Sequence, residues 1–379
     1  MDKILYVNHI NSPFETYKGA NQRSNLILRS LLLKYEVDVL CFTYDKAPEI
    51  QIKGCTVYFY EMDESKTESS RFGKSSIYPA NKVYKSLTEN LLSKNDYKFI
   101  VVRYIQPVYL CGLENENNLI VDIDDLPEQL YKSLAKQSNF PRNVKKYYLS
   151  LLARIYTNKI ISKSLQVYLP NRLQCYSPNS IYLPNIPYPF FKNVIVRDIP
   201  FSERKPVVLF VGAMNWGVNF NGIDFFINHS WATVKSKVPD ALLKIIGKNA
   251  PEAFKTKWEK TDGVEVVGFV EDLYNEYSDC KAIIVPVYYG SGTNIKVLEA
   301  MTTGRPCVVS EHASKGFEDD LVDELNVLIA RDTLDFSKKL ILALTDEEMA
   351  TKIATNGISA IKDKYSFSYF SSQLLQGVL

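Results

Sequence analysis

The chain has 379 residues, 45 Lys and Arg against 43 Asp and Glu, a formal net charge of +2, and 46% apolar residues. That composition excludes a disordered or collagen-like polymer, and the length suits two or three domains with cores of their own. Spread evenly, so small a charge also argues against a dedicated nucleic-acid or membrane binder.

Met1 to Lys3 lead into the apolar run Ile4–Val7, which is too short for a secretory leader. No apolar window of 18 residues exists, so no membrane-spanning helix is expected. Six scattered cysteines (41, 55, 111, 175, 280 and 307) without a CxxC pair read as reduced thiols of a cytoplasmic protein. Three histidines, none at ligand spacing, give no metal site.

In chain order, strands are expected at 3–8, 37–42, 56–60, 99–103 and 119–123, with a helix over 20–34. Continuous apolar strands separated by helices build parallel sheets covered on both faces. Seven prolines follow between Pro170 and Pro206 and mark a domain boundary. A second series then begins. Strands are expected at 207–211, 242–247, 264–267, 282–285 and 307–310, with helices over 221–234, 250–260 and 294–302. Two doubly wound α/β domains result, and the cleft between two such domains is the natural ligand site.

The densest chemical signal lies between Pro286 and Pro306. A strand ends there, and the loop Gly290-Ser291-Gly292-Thr293 opens a helix. Glycines let a ligand approach the backbone, and free N–H groups at a helix start suit phosphate. Lys296 falls in the first turn, against the helix dipole, and a bound anion would relieve that conflict. Glu299 shares its face three residues on. An ordinary surface Lys–Glu pair is the plain alternative.

The run GSGTNIKVLEAM from Gly290 to Met301, followed by Gly304-Arg305-Pro306, resembles the donor-site signature of glycosyltransferase family 4, among the glycosyl transferases group 1. The segments 209–216 (LFVGAMNW), 243–249 (LKIIGKN), 264–270 (VEVVGFV) and Leu183-Pro184-Asn185 agree with it. The resemblance implies a GT-B fold. An N-terminal acceptor-binding Rossmann-like domain would span 1–195, a C-terminal nucleotide-sugar domain 196–362, and the last helix, 363–379, would return to the first domain.

Carried over by position, the resemblance gives Glu299 the ribose hydroxyls. It gives the diphosphate to Lys296 with the backbone of Gly292, Thr293 and Asn294. Phe269 and Val270 would face the base, and Gly19, Gly212 and Ala213 would allow close approach of the backbone. The family's further acid falls here on Ser291, and Asn294 stands where close relatives carry Arg. The loop 213–219 holds no cation, so Lys248 is the second candidate for phosphate. The donor would be a UDP- or GDP-sugar, with no other cofactor.

At the end of the strand 119–123, Asp122, Asp124 and Asp125 crowd three carboxylates into four residues. Such a group must be solvated, paired or protonated. Asp124 or Asp125 is the candidate base for an acceptor hydroxyl, with a solvated helix cap as the alternative. Asp122-Ile123-Asp124 imitates a metal-binding DxD, discounted because GT-B enzymes generally need no metal. His9 could line the cleft, and His229 and His312 give no signal.

The charge is not evenly spread. From Gln129 to Arg197 there are 11 Lys and Arg and no acid, so the rest of the chain carries −9. Six aromatics interleave between Tyr131 and Tyr168. Such a stretch suits an anionic membrane surface or a lipid diphosphate. Neutralisation by acids from elsewhere is the bland alternative, and no nucleic-acid motif is present. The reading is a cytoplasmic glycosyltransferase, peripheral on the inner membrane face, retaining and metal-independent. It would move a sugar onto a glycan or lipid-linked acceptor in bacterial surface polysaccharide or glycoconjugate synthesis. A GT-B sugar-nucleotide epimerase, a phosphorylase and a binding module with a decayed site are the alternatives.

Overall fold

A computed structural model describes residues 2–14, 19–43, 52–136, 138–187, 199–290 and 293–377. The chain separates into two compact units, one of residues 1–185 with 367–379 and the other of residues 186–366.

The first unit is built on a parallel sheet. Its strands are β1 (Lys3–His9), β2 (Glu36–Thr43), β3 (Cys55–Glu61), β6 (Phe99–Arg103), β7 (Leu119–Asp122), β8 (Gln166–Leu169) and β9 (Ser180–Tyr182). Their order is β3-β2-β1-β6-β7-β8-β9, with a separate antiparallel pair of β4 (Thr67–Glu68) and β5 (Ala80–Asn81). The central strands are buried along nearly their whole length, as a sheet covered on both faces requires. Helices α1 (Gly19–Leu31), α2 (Lys82–Lys94), α3 (Ile105–Leu110), α4 (Pro127–Lys136) and α5 (Arg142–Lys163) connect them. The basic stretch is therefore not all surface. Its later part supplies β8, whose Val167, Tyr168 and Leu169 are fully buried.

The last helix, Phe367–Gln376, returns to this unit as expected. The Arg29 guanidinium lies 5.1 Å from the Phe367 ring centre, and the Tyr168 hydroxyl donates to Leu374 O at 2.5 Å. The unit divides at Asn185 rather than at 195, because Arg23 of α1 binds the 183–185 segment. Its Nη1 donates to Leu183 O, Pro184 O and Asn185 Oδ1 at 2.9–3.2 Å.

The second unit has a parallel sheet in the order β12-β11-β10-β13-β14-β15. The strands are β10 (Val207–Val211), β11 (Leu242–Ile246), β12 (Val264–Gly268), β13 (Ala282–Val285), β14 (Cys307–Ser310) and β15 (Leu328–Ala330). Five of them match the sequence reading to within a residue, and the short β15 was not read. The expected helix 221–234 begins earlier, at Gly217, and runs to Lys237 through a π turn at Ile227–Trp231. Both sheets are doubly wound α/β layers, the expected fold class.

Candidate functional site

In the second unit the carboxyl ends of β10, β11 and β12 are tied side by side by backbone hydrogen bonds. Gly212 N donates to Ile246 O at 3.0 Å, Gly247 N to Gly268 O at 2.8 Å, and Met214 N to Lys248 O at 3.0 Å. Glycine makes this possible. A Cβ on Gly247 would stand 1.8 Å from Gly212 O, a distance no side chain tolerates. Gly212 and Ala213 thus sit at the head of one turn and Lys248 at the head of the next. Lys248 Nζ lies 3.9 Å from the ring centre of Phe269, which is 61% exposed beyond β12. Two residues read separately from the sequence are brought together as a cation–π pair. Val270 differs from its neighbour: it is half-buried and packs on the core of the unit, so its side chain is largely committed.

The helix Ile295–Met301 follows β13, with Asn294 at its N-cap. The helix Gly217–Phe226 packs so closely on the chain after β13 that a Cβ on Gly222 would meet Pro286 O at 2.1 Å. That approach sets Asn219 against Lys296. Asn219 is 5% exposed, its Nδ2 donates to Ala213 O at 2.8 Å, and its Oδ1 accepts from Lys296 Nζ. Lys296 Nζ also faces the Phe210 ring at 5.7 Å. Desolvation pulls the Lys296 ammonium down to about 8, against an opposing pull from Glu299. Glu299 lies one turn on, half-buried, and its charge helps raise the buried Tyr277 hydroxyl, which burial raises first. Thr293 and Asn294 are half-buried at the helix start. Ser291 and Gly292 lie outside the described residues.

Asn219 was not singled out in the sequence. A polar residue near a helix start has many roles, and its contact with Lys296 spans 77 positions. Arg305, in the matched Gly-Arg-Pro, is structural. It is buried, and its guanidinium donates to Thr303 O, Gly304 O and Ser278 O, the last near the end of the helix Leu273–Asp279.

In the first unit the three aspartates separate into different environments. Asp122 is fully buried and accepts from Arg23 at 2.5–3.2 Å and from Arg103 at 2.6 Å. Asp124 accepts from Arg103 Nη2 at 2.7 Å and from Asn185 Nδ2 at 3.2 Å. Burial opposes its charge, yet Arg103 and Arg23 hold its carboxyl down to about 2. Asp125 is exposed and has no such partner among the described residues. The surrounding protein and the Asp124 charge push its carboxyl up to about 7. No group of three His, Cys, Asp or Glu that could hold a metal occurs among the described residues.

Gly19 opens α1, at the start of a helix that leads to Arg23. His9, at the end of β1, is buried and lines a cavity of about 300 Å³ with Met62, Tyr84 and Gln106.

Residues 205–346 match the family model of the glycosyl transferases group 1. No protein of curated function matches the chain by sequence. Solved structures match its fold over nearly its whole length. Sucrose-phosphate synthase from Thermosynechococcus elongatus aligns with a TM-score of 0.71 at 16% identity, covering 99% of this chain and 98% of that one. HepE of Anabaena, solved with UDP, gives 0.69 at 12% identity, with 99% and 98% covered. WaaG, a glycosyltransferase involved in lipopolysaccharide biosynthesis, gives 0.66 at 15% identity, with the same coverage. The fold is that of these two-domain GT-B proteins, and the matched region carries the glycosyl transferases group 1 signature. Together they support glycosyl transfer as the class of activity.

Proposed function

We propose that the chain transfers a sugar from a nucleotide-sugar donor to a glycan or lipid-linked acceptor, with retention of configuration. The observation that carries this is Lys296, a desolvated ammonium held by an amide beside glycine turns. In this reading the nucleoside diphosphate sits against Lys296 and the backbone of Gly212 and Ala213. Thr293 and Asn294 lie at its edge. Glu299 accepts the ribose hydroxyls, and each such charge-assisted bond contributes about 1.5–3 kcal/mol. Phe269 takes the base, with Lys248 above it. HepE, whose solved form holds UDP, favours a uridine nucleotide over a guanosine one.

When the glycosidic C–O bond breaks, negative charge gathers on the leaving diphosphate. A preorganised cation and fixed N–H dipoles stabilise that charge without reorganising, typically the largest single catalytic contribution. In the first unit, Asp125 has the free carboxyl suited to receive the acceptor's proton, whereas Asp124 is saturated by Arg103 and Asn185. The product would belong to a bacterial surface polysaccharide or glycoconjugate, as WaaG's does.

The test is a thermal-shift screen over nucleoside diphosphates and nucleotide sugars, followed by donor turnover. A ligand of the native state raises the melting temperature. Lys296→Ala should lower donor turnover about 10²–10³-fold, the size expected for one lost transition-state stabiliser. Absence of a shift with every nucleotide, or normal turnover in Lys296→Ala, overturns the proposal. Release of the diphosphate without any acceptor would point instead to an epimerase or a hydrolytic relative.

A further inference from the structure

Helix α5 is buried on one side only. Ala153, Thr157 and Ile160 pack into the first unit. At about 100° per residue, Val144, Tyr148, Leu151 and Ile155 form a line on the opposite side. All four are exposed, Leu151 by 57%, and Phe140 just before the helix by 81%. Phe72 extends the line: it is 65% exposed and packs edge-on against Tyr148, whose hydroxyl accepts from Gly73 N at 3.2 Å. A soluble surface scatters single apolar residues, but a continuous apolar stripe marks a contact face.

The flanks of the stripe are basic. Lys145 and Lys159 border it on one side and Arg154 on the other. Arg142, Lys146 and Lys163 complete six cations on a helix without an acid. Among the described residues none of the six lies within ion-pair distance of a carboxylate. Lys146 and Lys163 bond only neutral groups: Ser138, Leu134 O and Asn115. Neutralisation of the basic stretch would need acids from elsewhere; beside α5 Glu128 acts on Arg154, and none of the described carboxylates forms an ion pair with any of the six cations. Beside the helix opens a cavity of about 540 Å³ whose walls include Lys132, Arg154, Tyr147 and Leu173, with Glu128 as its one carboxylate.

We propose that this face of α5 docks on the surface of an anionic lipid bilayer. The apolar stripe sinks into the boundary between headgroups and acyl chains. The flanking cations meet lipid phosphates, and the adjacent cavity has room for a headgroup. An apolar line between two cationic borders is the pattern of a helix lying in the interface. A second copy of the chain is a poor occupant, because a two-fold contact through the stripe would bring the flanking cations Lys145, Arg154 and Lys159 of both copies together without acids to meet them. No helix among the described residues is long and apolar enough to span a bilayer, so attachment is to one surface.

The experiment is flotation of the full chain with vesicles of phosphatidylcholine alone or mixed with phosphatidylglycerol. The protein is expected to float with the mixed vesicles and to detach as salt rises. Leu151→Glu with Ile155→Glu, both at exposed positions, should cut the bound fraction at least tenfold with the melting temperature unchanged. Lys145→Ala, Arg154→Ala and Lys159→Ala together should lower binding to anionic vesicles roughly a hundredfold and leave binding to neutral ones unaffected. Failure of the unaltered protein to float overturns the proposal. So does unaltered flotation of the double glutamate variant. A dimer in solution that this variant dissolves, with no flotation, would assign the face to self-association and equally overturn it.

Discussion

The two units each place ionisable groups at the carboxyl ends of parallel strands, and they treat them in opposite ways. In the first unit Asp122 and Asp124 are matched by Arg23, Arg103 and Asn185, so their charge is already spent inside the fold. In the second unit Lys296 is met by a neutral amide, and its ammonium is pulled down to about 8. A saturated cluster fixes structure, because removing one member strands the others. An unsaturated cation retains free energy for a ligand to release. The contrast shows why charge density alone does not locate a site: the aspartate triplet is denser, yet most of it is scaffold.

The sharpest break of the comparison is Asp122→Asn. It leaves two buried guanidiniums short of a counter-charge, and breaking a buried pair in this way costs about 3–5 kcal/mol. Urea unfolding should show the loss, and a change within about 1 kcal/mol would mean that the network is not structural.

Next is Asn219→Asp, which gives Lys296 the carboxylate that the first unit gives its arginines. The site would then be saturated like its counterpart. Affinity for UDP should fall about 10–100-fold, as for a charge placed against a diphosphate, and the Lys296 pKa should rise. Titration calorimetry reads the first. An affinity equal to that of the unaltered protein would sever Lys296 from nucleotide binding. Glu299→Ala should cost at least about tenfold in donor kcat/KM through loss of the ribose hydroxyl contacts. Unchanged kinetics would remove the ribose assignment.

The sequence revealed these two regions unequally. β1, β6, β10 and β13 are buried apolar runs, and such runs announce themselves locally. The glycine turns and Lys296 were legible because they lie within short, recognisable strings. The partners were not. Arg23 reaches Asp122 across 99 positions and Lys296 reaches Asn219 across 77, and no local pattern encodes such pairings. Hence the carboxylates were read as a candidate site without the arginines that saturate two of them. The basic stretch was legible as a charge count, but not as a helix face and a buried strand, because charge counting ignores which way each residue points.

The smallest effect separates an unsaturated lysine from a merely buried one. Lys296 in the free protein loses its proton as pH rises through about 8. A diphosphate bound against it favours the charged form and raises that pKa. Binding is then strongest where the lysine is already protonated, below about pH 8. Above it, nucleotide must bring a proton with it, so affinity falls, approaching tenfold per pH unit, until the bound-state pKa is passed. Calorimetry at about pH 9 in buffers of different ionisation enthalpy should register close to one proton taken up per UDP bound, and Lys296→Ala should take up none. Affinity that stays flat from about pH 7 to about pH 9 would show that the ammonium is buried for packing alone, and the second unit would then resemble the first.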